Sequence, residues 1–217
     1  MTDPMRLDIE GRVARLTIDR PEKRNAMSAE MWRSLLRHIR SIGETAGIAA
    51  VVLRGAGGSF SAGADLAEMR SPDPVQVAGY REFAEQVVLA LSDLEPPKLA
   101  EIDGPCFGAG CSLALACDVR ICSPAAQFGI PALRHGLVYE PVFVRRLVRI
   151  VGPGPAGLLL YGGERWTGDE AVTRGLADKC AEDVSTAVER ILAYLCDAGE
   201  PAIASTAAAI RTAPRGR

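Results

Sequence analysis

Apolar and polar positions alternate along "LDIEGRVARLTID" near the start of the chain. Leu7 and Ile9, then Ala14, Leu16 and Ile18, fall on one face, with Glu10-Gly11 between the two runs. A period of two interrupted by a turn dipeptide predicts a β-hairpin. After the turn "RPEKRNA" the period lengthens. In "SAEMWRSLLRHIRSIG" the residues Met31, Leu35, Leu36, Ile39 and Ile42 form one helical stripe; Ser28 offers an N-cap oxygen, Glu30 suits the first turn, and Gly43 marks the end.

The short run "IAAVVLRG" is wholly apolar, the pattern of a strand covered on both faces. It leads into the glycine-rich "GAGGSFSAGADLAEM". A polar break at "SPDP" predicts a mobile loop before the helical "YREFAEQVVLALSDL". Pro96-Pro97 precedes a strand in "KLAEIDG", which is followed by a second glycine-rich stretch, "GPCFGAGCSLALACD", opening an apolar helix, and then by the strand "VRIC". From "YGGERWTGDEAVTRGLADKC" onward the pattern predicts helices with short turns, and "TAPRGR" reads as a fraying tail. The order β-β-α, β-α, β-α, β-α indicates an α/β chain built from units of roughly 40–50 residues, without a visible sequence repeat.

Composition adds mainly exclusions. At 217 residues with 48% hydrophobic and 24% charged positions, the chain can build a substantial core. A formal net charge of -2 offers no basic face for nucleic acid. No apolar run approaches the ~20 residues that span a bilayer, and "MTDPMRLDIEG" has no apolar signal region, so a cytoplasmic location is expected. Of six cysteines, Cys106, Cys111, Cys117 and Cys122 lie close together but lack the tighter spacing of zinc knuckles. Buried thiols are the expected reading, ahead of a metal site or a disulfide.

Five segments then carry a likeness. "IDRPEKRNAMS" (18–28), "FSAGADLAEM" (60–69), "GPCFGAGCSLALACDVRIC" (104–122), "AQFGIP" (126–131) and "GERWTGDEAVTRGLAD" (163–178) occur in the order and spacing of the crotonase superfamily, the enoyl-CoA hydratase/isomerase family, and the chain resembles it over about residues 5 to 212. The resemblance implies a crotonase-like spiral of ββα units, a coenzyme A thioester as substrate with no further cofactor or metal, and a homotrimer or dimer of trimers. It also implies an oxyanion hole formed by the backbone N–H groups of Ala64, after Gly63, and Ala109, between Gly108 and Gly110. Asp65 would lie beside the first of these amides. Lys23 and Arg24 match the turn that approaches the CoA phosphates; as bare residues they make a solvated cationic turn. The physics of the glycine loops agrees: a thioester enolate puts negative charge on its carbonyl oxygen, and two preorganised N–H groups, one at a helix N-terminus, stabilise it.

The same alignment shows a departure. The two glutamates that hydratases of this family use fall on Ser112 and Ala132 here, and neither residue can shuttle a proton unaided. Hydration by the two-glutamate route is therefore not expected. Ser112 is either a hydrogen-bonding group for substrate or water, or a small polar residue satisfying the helix start. The surviving candidate base is Glu140, which falls where some members carry a catalytic aspartate. Its neighbours Leu137, Val138, Val142 and Phe143 are apolar and would raise a carboxyl pKa, while a place before Pro141 at a helix start would lower it. The alternative is an idle surface glutamate. Tyr139 could donate a hydrogen bond to an enolate or simply pack.

Glu101, in a strand, would line the acyl site or face solvent at a sheet edge. His135 is a candidate in an otherwise exposed turn, and His38 belongs to a surface helix. The expected organisation is a spiral core over 1–195 and a shortened C-terminal helix and tail over 196–217, the chain stopping after "AAIRTAPRGR" where family members generally continue with further helices.

These expectations converge on an enzyme that stabilises a thioester enolate and moves one proton with a single carboxylate, an isomerase-type reaction on acyl-CoA or an acyl-carrier-protein thioester. A non-catalytic acyl-CoA-binding accessory protein, or a thioester hydrolase or decarboxylase, are the alternatives.

Overall fold

The computed structural model describes residues 3–213. Strands β1 (Met5–Glu10) and β2 (Val13–Ile18) form the hairpin, antiparallel in register from Met5↔Ile18 to Glu10↔Val13. A 3-10 turn at Pro21–Lys23 precedes helix α1 (Ala29–Glu44). The Ser28 side chain accepts a hydrogen bond from the Met31 N–H, a cap worth about 1 kcal/mol. Gly43 does not end this helix. It keeps ordinary helical geometry, α1 runs on to Glu44 with Thr45 as its cap, and the left-handed reversal is made at Gly47, φ 81°.

Next come β3 (Ala50–Gly55), the short α2 (Leu66–Met69) and α3 (Pro74–Asp93). The "SPDP" break is in part a helix start: Pro74 occupies the first turn and the Asp73 side chain accepts from the Val75 N–H at 2.9 Å. The chain continues through β4 (Lys98–Ile102), β5 (Pro105–Phe107), α4 (Ala109–Ala116), β6 (Val119–Cys122) and β7 (Gln127–Gly129). After a 3-10 turn at Leu133–His135 it forms α5 (Pro141–Val151), α6 (Pro153–Leu160), β8 (Arg165–Thr167), α7 (Gly168–Thr173), β9 (Lys179–Cys180), α8 (Val184–Asp197) and α9 (Glu200–Thr212).

The main sheet has the order β1-β2-β3-β4-β6-β9, parallel throughout except for the opening hairpin, and β5-β7-β8 form a second, smaller sheet. The segment after Tyr161 is therefore not purely helical. β8 buries Trp166 opposite Phe128, and β9 pairs Cys180 with Cys122. Strands of two or three residues are too short to show alternation, so the sequence pattern could not register them.

β3 is covered on both faces, as its composition predicts. Val51 and Leu53 join the core containing Trp32, Phe60 and Leu113, whereas Ala50 and Val52 face a second cluster with Leu99, Ile121 and the α8 residues Val188 and Leu192. Glu101 alternates onto the face of Leu99. It neither lines the acyl site nor sits at an edge, because β4 is an interior strand; it lies in register with Arg54 on the far side of the sheet from α4. Burial raises its carboxyl above the usual range, against the opposing charge of Arg54.

His38 is structural, its Nε2 2.8 Å from the Met5 carbonyl oxygen. All six cysteines are free thiols, and the four between 106 and 122 are buried. Burial pushes the Cys117 and Cys122 thiols up to about 12. No helix among the described residues is long and apolar enough to cross a membrane. Of the tail "TAPRGR", Thr212 ends α9 and residues 214–217 lie outside the described residues.

Candidate active site

The two glycine-rich stretches are stitched together by backbone. Ser61 donates its N–H to the Pro105 carbonyl (2.9 Å), and its own carbonyl accepts from the Phe107 N–H (2.9 Å). The approach is so close that a Cβ on Gly110 would stand 2.7 Å from the Ser61 oxygen. A Cβ on Gly63, at φ 102°, would stand 2.8 Å from the Phe107 oxygen and 3.5 Å from the Ala109 nitrogen. Only glycine brings the loops this near. Gly108, φ 49° and ψ -112°, makes the sharp turn that starts α4.

Further bonds fix which way the first loop faces. Met27 donates to the Gly63 carbonyl (2.8 Å) and accepts from the Asp65 N–H (2.9 Å). The intervening Ala64 N–H is thereby turned away from Met27, as strand alternation requires. The phenol of Tyr80, on α3, donates to the Met27 carbonyl at 2.6 Å and accepts from the Trp32 indole at 2.9 Å. Asn25 donates to the Ser59 and Ala56 carbonyls, and the Ser61 hydroxyl donates to the Asn25 carbonyl. Among the described residues neither the Ala64 N–H nor the Ala109 N–H has a hydrogen-bond partner. Both residues line one cavity of about 150 Å³, and Ala109 is the first residue of α4, where the helix dipole adds positive potential.

The rest of that wall is largely apolar: Trp32, Leu66, Met69, Phe107, Leu137, Val138 and Phe143. Gly63, Gly108, Ser112, Ala132, Tyr139 and Glu140 also line it, as does the exposed His135. Ser112 is 1% exposed, and its Oγ lies 2.7 Å from the Tyr139 Oη. Tyr139 packs on Phe143 with ring centroids 5.7 Å apart, and burial pushes its phenol above the ordinary range. Ala132 begins the 3-10 turn and brings no functional group.

Glu140 occupies the N-cap position of α5, before Pro141, and its side chain does not cap the helix. Instead Oε1 accepts from Arg81 Nε (2.7 Å) and lies 2.5 Å from Arg81 Nη2. In the local sequence no cation stands within four residues of Glu140. The fold supplies a cation from α3, 59 residues away. Arg81 is the site residue that sequence reasoning missed, and no signal in the chain marks it apart from other helix cations. Among the described lining residues Glu140 is the only carboxylate.

Four sequence candidates fall outside the lining. Gly110 acts through close packing. Asp65 caps α2 through the Ala67 N–H and pairs with Arg20 at 2.8 Å. Lys23 and Arg24 are exposed on the 3-10 turn, and the Arg24 carbonyl accepts from the Ala62 N–H. No group of three or more His, Cys, Asp or Glu side chains among the described residues is placed to hold a metal ion.

Comparison with known proteins fits this geometry. The model of the family described as enoyl-CoA hydratase/isomerase matches residues 8–213. A short-chain-enoyl-CoA hydratase of Clostridium acetobutylicum is 37% identical over 179 residues, 81% of this chain and 68% of that protein. A crotonyl-CoA hydratase of Syntrophomonas wolfei is 31% identical over 208 residues, 94% of this chain and 79% of its own. The crystal structure of an enoyl-CoA hydratase from Bacillus anthracis superposes with a TM-score of 0.91 at 27% identity, covering 96% of this chain and 83% of that one.

Proposed function

The chain belongs to the enoyl-CoA hydratase/isomerase family, and from that premise we propose that it binds a short acyl-CoA thioester, stabilises its enolate with the Ala64 and Ala109 N–H groups, and moves a proton with Glu140. The observation that carries this reading is the convergence of two unpartnered backbone donors on one small cavity. An enolate oxygen held by both would be stabilised by donors that need no reorganisation during reaction, a contribution worth roughly 100- to 1000-fold in rate per donor.

The reaction assigned is a proton shift rather than addition of water. Syn hydration by the two-glutamate route needs one group to take a proton from water and another to deliver one to carbon, and Ser112 and Ala132 stand where the resemblance places those groups. A single carboxylate suffices for isomerisation. Glu140 takes a proton from one carbon of the acyl chain, the electron pair is held as the thioester enolate, and the same proton returns to another carbon as the double bond moves. Glu140 Oε2 has no partner among the described residues, yet no buried side-chain polar atom is left unbonded, so this oxygen is open to cavity or solvent. The relatives named as hydratases thus share the scaffold while this chain presents a different proton-transfer set.

One observation favours a second reading, an accessory acyl-CoA-binding protein: Oε1 of the sole carboxylate is held by Arg81. Deuterium incorporation from heavy water into saturated and unsaturated acyl-CoAs, read by mass spectrometry, separates the two. Exchange that falls at least about 100-fold in Glu140→Gln supports the isomerase reading. Tight binding without exchange in the unaltered protein supports the accessory one. Exchange undiminished in Glu140→Gln removes Glu140 from the mechanism.

A further inference from the structure

A second cleft, of about 980 Å³, is lined by residues of α3, α5 and α9 and of the segment from the end of α4 into β6; it shares only Phe143 with the small cavity. Arg120, Arg145, Arg146, Arg149 and Arg211 line it, against Asp93 and Asp118. That is an excess of three positive charges in a chain whose formal net charge is -2. Asp118 does little to offset it, because its carboxylate already holds the buried Lys98 ammonium at 2.9 Å. Several of the arginines are propped in place. Arg146 Nη1 donates to Ser92 Oγ at 2.7 Å, Arg211 Nε lies 3.8 Å from Asp118 Oδ1, and the buried Arg120 donates to the Leu176 and Cys117 carbonyls. Arg145 and Arg149 stand one helical turn apart on α5 and are exposed. Arg145 has no hydrogen-bond or ion-pair partner among the described residues. The rest of the lining is mostly apolar, with Leu89, Leu115, Val142, Ile150 and Ile210. Guanidinium groups pair with phosphate through parallel N–H bonds, and three surplus charges suit a dianionic head better than a single carboxylate. A bare phosphate would leave the apolar wall wet. A ligand with an apolar body would cover it, and the volume is in the range that encloses a whole small molecule.

We propose that this cleft is a second ligand site, separate from the acyl cavity, and that it takes an amphipathic organic phosphate: a dianionic head among the arginines of α5, β6 and α9, and an apolar body against Leu89, Leu115 and Ile210. The site stands whatever reaction the small cavity performs, since Arg145, Arg149 and Arg211 line the one and not the other.

The test is calorimetric binding of octyl phosphate, inorganic phosphate and octyltrimethylammonium to the full chain. Octyl phosphate is expected to bind about tenfold or more tighter than inorganic phosphate, a factor that about two buried methylene groups suffice to give. The cation should not bind. Arg145→Glu/Arg149→Glu turns the surplus of three positive charges into one negative charge, and should weaken octyl phosphate by about tenfold or more. Ile210→Glu, at a position 67% exposed, puts a carboxylate on the apolar wall and should weaken it too; this variant serves if the double reversal does not fold. Octyl phosphate affinity unchanged in both variants places the ligand elsewhere and overturns the site. Equal affinity for octyl phosphate and inorganic phosphate, binding of the cation as tightly as the anion, or no binding of octyl phosphate at all overturns the ligand class.

Discussion

The Ser112 hydroxyl and the Tyr139 phenol lie 2.7 Å apart, joining the first turns of α4 to the loop before α5. Ser112 thus has a structural partner. Removing one member strands the other in a buried setting. Tyr139→Phe should lower stability by about 1 kcal/mol. In a double-mutant cycle with Ser112→Ala, measured by urea unfolding, the two changes should couple by on the order of 1 kcal/mol. Strict additivity would mean the bond contributes nothing.

Ala109→Pro tests the oxyanion donor proposed at this amide. Ala109 is the first residue of α4, where proline is tolerated because no intrahelical bond is lost. The substitution removes the N–H and puts the ring Cδ in its place, so thioester affinity is measured alongside exchange to separate a lost donor from a filled cavity. Deuterium exchange into bound acyl-CoA should fall by roughly 100- to 1000-fold, with the thermal midpoint little changed. A variant that exchanges normally would show that this amide does not meet the enolate.

Gly110→Ala sets two effects against each other. Alanine favours a helix over glycine by about 1 kcal/mol, yet its Cβ would stand 2.7 Å from the Ser61 backbone oxygen. Backbone cannot swing aside as a side chain can, so the clash wins. Net destabilisation of about 1–3 kcal/mol is expected in chemical denaturation, and the loops parting would also reduce exchange. A more stable variant would mean the loops are less tightly stitched than the geometry indicates.

Acid should loosen the first loop through Asp65. Burial pushes its carboxyl up, but bonds from Arg20 and the Ala67 N–H, with the charges of Arg20 and Lys23, outweigh it and hold the group below its usual range. A carboxyl whose folded value is depressed contributes stability that is complete above its unfolded value, about 3.9, and is lost as pH falls through the folded value. Asp65→Asn should therefore lower stability at neutral pH and flatten the acid limb of a stability–pH curve. Parallel curves for the two proteins would contradict that role.

The parts of this molecule that could be read from the chain are those governed by local pattern. The stripe through Met31, Leu35 and Ile39 predicts α1, the apolar run at 48–53 predicts β3, and both glycine stretches lie where backbone must approach backbone. What could not be read depends on contacts distant in sequence. Strands β8 and β9 exist because Trp166 and Cys180 meet partners on β7 and β6, not because their own few residues alternate. Neither the acyl site nor a sheet edge holds Glu101, and the strand order that makes β4 interior is not written in β4 itself. The Arg81–Glu140 pair spans two helices that only the finished fold brings together.

Tyr80 and Arg81 are consecutive residues on α3, one anchoring the Ala64 loop through the Met27 carbonyl, the other gripping Glu140. The wall that carries the Ala64 amide and the wall that carries the Glu140 carboxylate are therefore mounted on a single rigid rod. A slide or rotation of α3 cannot shift one without disturbing the other. The loop from Pro131 to Glu140 belongs to the same frame, tied to α4 where Tyr139 meets Ser112 and to α3 where Glu140 meets Arg81.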